Sequence, residues 1–255
     1  DRVFLVCRSE AKAVVAARDI AVPGGVEPVV VVGDLSKGED VARIGQTILG
    51  QVSTVDVLVN NAGGYFPALT KSADGLEMNL ALNHLGYFRM THALLPGLQQ
   101  SPIARIVNVA SRAHRTGQLD IGDLEFTRRR YRPFIAYGTS KLMNILFTRT
   151  FALRYLHGPQ MNALHPGVVR TGFGHDYPGV FSWLAKLASP VMVSAAKGAA
   201  TSIYLATSPE VEGVSGGYYS DCGLTQPRPK ARDEALGEAL WTASEALCGF
   251  KFGQY

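Results

Sequence analysis

The chain has 255 residues, 47% of them hydrophobic and 18% charged, with a formal net charge of +4. That is enough for one large α/β domain, and no run approaches the roughly 18 uncharged apolar residues of a membrane-spanning helix. The opening apolar run is too short for a secretion signal, and Cys7, Cys222 and Cys248 are spaced as neither a disulfide framework nor a zinc site, so a reducing, cytoplasmic setting is expected.

Val3 to Cys7 is a continuous apolar run, as expected of a parallel strand covered on both faces. Arg8-Ser9-Glu10 follows, then a helix that Pro23-Gly24-Gly25 ends. Val29 to Val32 forms a second strand, closed by Gly33-Asp34-Leu35. A helix over about 38–52 leads to a third strand, Val55 to Val59, which runs into Asn60-Asn61-Ala62-Gly63-Gly64. A helical stretch over about 76–98 precedes a strand from Arg105 to Val109, which ends at Ala110-Ser111. A polar insertion comes next, then a helix carrying Tyr137 and Lys141 and running to about Tyr155. Met161 to Leu164 is a strand ending in His165-Pro166-Gly167. A last helix near 195–207 and a final strand from Gly216 to Tyr219 complete the pattern.

Strands that alternate with helices this long predict right-handed βαβ units. The expected fold is a Rossmann-like, doubly wound parallel sheet between helical layers, in one domain over 1–255. In such sheets ligands bind beyond the carboxyl ends of the strands. The residues there are Arg8, Asp34, Asn60 to Gly64, Ser111 and His165 to Gly167.

Tyr137 and Lys141 are four apart, so one helix turn brings them together. An ammonium beside a phenol favours the phenolate and is expected to lower the Tyr137 pKa, making it a proton donor and acceptor. No residues have metal-ligand spacing, and His84, His114 and His165 read as packed, hydrogen-bonded histidines. The basic run Arg128-Arg129-Arg130-Tyr131-Arg132 reads as a solvated loop or a membrane-surface contact in preference to a nucleic-acid patch.

Five motifs in order, Asn60-Asn61-Ala62-Gly63, Asn83, Ser111, Tyr137 with Lys141, and His165-Pro166-Gly167, resemble the short-chain dehydrogenase/reductase family. Finer features resemble its retinol dehydrogenase-like branch: Asn83-His84-Leu85-Gly86, Ser111-Arg112-Ala113-His114 and Tyr219-Ser220-Asp221-Cys222. The resemblance implies Tyr137 as general acid/base, Lys141 on the nicotinamide ribose, Ser111 on the reacting oxygen, and Asn83 holding a water that links Lys141 to solvent. It implies that Asp34 and Leu35 meet the adenine, that Asn60, Ala62 and Gly63 line the cofactor, and that Pro166, Gly167, Val169 and Thr171 lie along the nicotinamide. Arg8 stands where an acidic residue would select NAD(H), so NADP(H) is the expected cofactor.

One departure matters. The family's glycine-rich turn, which joins its first strand to its first helix and holds the pyrophosphate, is not in this sequence. Residues 3–7 correspond to the family's second strand, and a segment carrying the first is expected upstream in the natural protein. Residues 172–193 occupy the family's substrate lid. Phe173, Tyr177, Phe181 and Trp183 there imply a lipophilic substrate or contact with a membrane surface, unless they pack on the domain. The resemblance leaves a monomer, or a homodimer through the helices near 76–98 and 134–155, as alternatives. The alternative function is a catalytically inactive member that binds a nucleotide or a partner protein. A methyltransferase or other doubly wound enzyme would have no need of Tyr137 and Lys141.

Overall fold

The computed structural model describes residues 2–167 and 194–254. Val169, Thr171 and the lid stretch 172–193 lie outside the described residues.

The strands are β1 (Phe4–Cys7), β2 (Val29–Val32), β3 (Val57–Asn60), β4 (Arg105–Val109), β5 (Gln160–His165), β6 (Tyr218–Ser220) and β7 (Gly223–Leu224). The helices are α1 (Glu10–Ile20), α2 (Gly38–Leu49), α3 (Gly86–Gln100), α4 (Pro133–Arg154), α5 (Ala195–Thr207) and α6 (Glu234–Cys248). β1 pairs with β2, and a second sheet runs β3-β4-β5-β6-β7. All pairings are parallel except β6 with β7. The expected doubly wound α/β architecture is therefore present.

Among the described residues no ladder joins β1 to β3. The β3 edge shows it: Leu58 and Asn60 are buried, while Val57 and Val59 are 40% and 43% exposed. Apolar side chains on a parallel strand are normally covered on both faces.

Several elements differ from expectation. The third strand begins two residues later than Val55 and takes in Asn60. The stretch over 76–98 is a π-helical turn, Asn79–Leu85, feeding α3. The strand expected over Gly216 to Tyr219 is Tyr218–Ser220 and is not the last, because the unforeseen β7 follows it. The helix at 195–207 is not the last: α6 follows, capped by the Asp233 side chain on the Leu236 N–H and closed by Gly249 at φ 72°. α6 buries Gly237, Leu240, Trp241 and Ser244, and an added Cβ at Gly237 would lie 2.4 Å from Thr150 Oγ1 of α4.

The largest core cluster joins Val31 of β2, Ile44 and Ile48 of α2, Phe88 and Leu95 of α3, Phe147 and Phe151 of α4 and Trp241 of α6. It holds α2 and α3 under both sheets. α5 covers the other face through Leu205, against Val107, Val109 and Leu164. α4 is thus clamped between sheet and α6, and its first turns project over the carboxyl ends of β4 and β5.

The basic run has a structural role. Asp123, wholly buried in its side chain, accepts from Thr127, Arg128 and Arg129, with Arg129 Nε at 3.0 Å from Oδ2. Burial raises its pKa, but these donors hold the carboxyl far below the usual range.

Candidate active site

Ser111, Tyr137 and Lys141 come together above the ends of β4 and β5. Ser111 caps a short 3-10 turn, Arg112–Thr116, by accepting from the Ala113 N–H at 3.1 Å. Its side chain also hydrogen-bonds Tyr137. The turn presses on α4 so closely that an added Cβ at Gly138 would sit 2.4 Å from Thr116 Oγ1 and 2.5 Å from the Ala113 carbonyl oxygen. Two histidines steady it. His114 Nδ1 lies 2.7 Å from the Ser111 carbonyl oxygen, and the Arg112 N–H donates to His165 Nδ1 at 3.2 Å. Burial pushes the pKa of each down, His165 to about 4, so both are neutral supports and fit the packed role read from the sequence.

Lys141 is buried, at 4% exposure. Its Nζ donates to the Val109 carbonyl oxygen at 2.8 Å and lies 5.5 Å and 5.8 Å from the ring centres of Tyr87 and Tyr137. Tyr65 packs edge-on against Tyr137, with ring centres 6.0 Å apart. Phe66 follows Tyr65, and the exposed Phe134 stands one turn before Tyr137 on α4. The tyrosines at 65 and 87 escape sequence reading, because nothing in their spacing ties them to Lys141.

The expectation for Tyr137 is corrected. Its pKa is pushed up to about 12, because burial outweighs the hydrogen bond from Ser111 that lowers it. Lys141 does not act as a strong cation beside it: burial pushes the ammonium down to about 7. The two groups desolvate together, so at neutral pH the phenol keeps its proton and the amine is only partly charged.

A measurable stability effect follows. The unfolded chain holds the Lys141 proton up to its ordinary pKa of 10.5, whereas the folded chain releases it near 7. Above pH 7 the unfolded state binds more protons, so stability rises with pH. Urea midpoints measured from pH 7 to 8 should climb in the native protein and flatten in Lys141→Met. Parallel curves would remove Lys141 as the cause.

Asn83 lies within the π-helical turn, a form of helix frequent at functional sites. Its Oδ1 accepts from the Gly64 N–H at 2.8 Å, and its Nδ2 donates to the Gly64 carbonyl oxygen at 2.9 Å and to Ser140 Oγ at 3.1 Å. Gly63 passes close by: an added Cβ would lie 3.0 Å from Asn83 Oδ1 and 3.6 Å from Lys141 Nζ. Only a residue without a side chain leaves this head of the cleft open.

The remaining expected positions line the strand ends. Gly167 has φ +80°, a conformation that favours glycine, directly after Pro166. Arg8 is exposed at the end of β1, before Ser9 caps α1. Asp34 accepts from the Ser36 N–H at 2.9 Å and from its hydroxyl at 2.7 Å, so it shapes the turn into α2. Leu35 is half-buried beside it, its carbonyl against Gly86. The Asn60 side chain is committed elsewhere, to Asn108 at 2.8 Å and Thr91 at 3.2 Å. What Asn60 offers the cleft is backbone, followed by the half-buried Ala62.

At one end of this cleft the Gly63 backbone passes over the buried Asn83 and Lys141 side chains without a Cβ between. Gly167 turns the chain after β5 in a conformation that favours glycine. The residues expected along a nicotinamide are thus compatible with backbone passing close to it. At the pyrophosphate end the described residues include no glycine-rich turn.

The family model for short chain dehydrogenases matches residues 1–178. Mouse retinol dehydrogenase 14 is 40% identical over 97% of this chain and 78% of its own length. Human retinol dehydrogenase 12 is 39% identical over 98% of this chain and 79% of its own. The crystal structure of an uncharacterised Mycobacterium paratuberculosis protein superposes with a TM-score of 0.77 at 31% identity, covering 98% of this chain and 85% of the other. Among the described residues no helix is long and apolar enough to cross a membrane, and no cluster of side chains is suited to hold a metal ion.

Proposed function

The chain belongs to the short-chain dehydrogenase/reductase family, and on that premise we propose that it interconverts a carbonyl and an alcohol on a lipophilic, retinoid-like molecule with NADP(H). The observation that carries the proposal is the meeting of Ser111, Tyr137 and Lys141 at one cleft. The names of its relatives support the retinoid class, and the Tyr65 ring edge-on against Tyr137 suits an apolar substrate.

When bound, the nicotinamide supplies the hydride, which no side chain can donate. Gly63, Ala62, the Asn60 backbone, Pro166 and Gly167 would hold its nicotinamide half, and Arg8, Asp34 and Leu35 its adenosine half. Tyr137, protonated at neutral pH, gives its proton to the carbonyl oxygen in reduction and takes it from the hydroxyl in oxidation. Ser111 donates to the same oxygen as charge grows on it. Lys141 takes the ribose hydroxyls and draws the phenol toward ionisation as it gains a proton.

The cofactor choice rests on Arg8, whose guanidinium suits a 2′-phosphate. Titration of intrinsic fluorescence should show NADPH binding about tenfold or more tighter than NADH, and Arg8→Asp should reverse the order. Equal or tighter binding of NADH by the native protein would overturn the assignment.

A further inference from the structure

We infer that Glu77 is a positioning residue, whose buried carboxylate orients Asn79 and, through Asn79, the Asn83 side chain at the head of the cleft. Glu77, Asn79 and Asn83 are 1%, 0% and 0% exposed. Glu77 Oε1 accepts from the Asn79 N–H at 2.9 Å and from Asn79 Nδ2 at 2.7 Å, while Oε2 accepts from the Leu80 N–H at 2.8 Å. The second hydrogen on Asn79 Nδ2 goes to Tyr131 Oη at 2.9 Å. That hydroxyl spends its own hydrogen on the Phe66 carbonyl oxygen at 2.8 Å.

These contacts settle which way each amide faces. Burial raises the Glu77 pKa while the N–H groups of Asn79 and Leu80 favour its ionised form. With both oxygens accepting from backbone N–H groups, the carboxyl draws the Asn79 NH2 toward itself. The Asn79 Oδ1 is left facing Asn83, whose Nδ2 lies 3.4 Å away. Asn83 is turned the same way by Ser140, whose hydroxyl donates to the Tyr137 carbonyl oxygen at 2.8 Å and so can only accept from Asn83. Its Oδ1 is thereby aimed at Gly64 and the floor beneath Gly63. Glu77 thus fixes the Asn79 amide, whose Oδ1 shares a hydrogen of Asn83 Nδ2 and backs the orientation that Gly64 and Ser140 also hold.

Glu77 also caps the π-helical turn through the Leu80 N–H, and a merely structural role would stop there. Asn79→Ala separates the two, because it removes the link and leaves that cap in place. With asparagine 15N-labelled, the Asn83 side-chain amide of the folded protein is expected to resonate apart from solvent-exposed amides and to exchange slowly. In both Glu77→Gln and Asn79→Ala it should shift toward the exposed range and exchange at least tenfold faster, with thermal unfolding still cooperative. An unchanged Asn83 signal in folded Asn79→Ala, whether or not Glu77→Gln folds, would overturn the proposal.

The catalytic consequence rests on the oxidoreductase reading: kcat should fall about tenfold in both variants with KM for cofactor unchanged. A native protein that turns nothing over would sink that reading, and the Asn83 signal would still decide the role of Glu77. Turnover equal to native with a displaced Asn83 signal would show that Asn83 orientation does not serve the reaction, and would overturn this consequence.

Discussion

Tyr137→Phe is expected to lower carbonyl turnover by about a thousandfold, the scale of a lost general acid. The phenol is protonated at neutral pH, held up to about 12 by burial, so it is loaded for donation. Its hydroxyl hydrogen-bonds Ser111, and its ring rests against Tyr65. Phenylalanine keeps the ring contact and removes only the hydroxyl. NADPH affinity, measured by fluorescence titration, should therefore stay near the native value. Turnover close to native in the variant would remove Tyr137 from the chemistry.

Gly138→Ala should be nearly as damaging, although Gly138 touches no reacting atom. An added Cβ would meet Thr116 Oγ1 at 2.4 Å and the Ala113 carbonyl oxygen at 2.5 Å. The hydroxyl can rotate away, but the carbonyl belongs to the turn that Ser111 caps and cannot yield alone. α4 and the turn must part, which costs about 1–3 kcal/mol of stability and separates Ser111 from Tyr137. Misplacement on the order of 1 Å lowers turnover about a hundredfold. Thermal denaturation and steady-state kinetics on Gly138→Ala check both parts; native kcat with native Tm would show that the turn and helix are not rigidly coupled.

The positions of chemistry were legible because they sit at strand ends, and strand ends are marked by a change from apolar runs to small and polar residues. Asn60 to Gly63, Ser111 and His165 to Gly167 all follow that rule, and Tyr137 and Lys141 were legible by their four-residue spacing on α4. The ionisation of the pair was not legible. A four-residue spacing shows that Tyr137 and Lys141 are near each other, but it does not show that both are desolvated, and desolvation decides the direction of each shift. Glu77 and Tyr131 were hidden for a similar reason, being 54 residues apart and meeting only in the folded chain, at Asn79 and through a long 3.5 Å contact of their own. α6 went unread although Asp233 and Gly249 punctuate it. The small buried residues Gly237 and Ser244 dilute its apolar stripe, and the contact that selects them is with α4.

The account turns on hydride passing between a nicotinamide and a carbonyl carbon at a cleft where Tyr137 supplies the proton. The most direct measurement is reduction of a retinoid aldehyde by the native protein with saturating NADPH deuterated at both C4 positions, followed by mass spectrometry of the product. The expected result is an alcohol carrying one deuterium on the former carbonyl carbon, formed by the native protein and about a thousandfold more slowly by Tyr137→Phe. An unlabelled alcohol, or no alcohol from the native protein with cofactor bound, would contradict it.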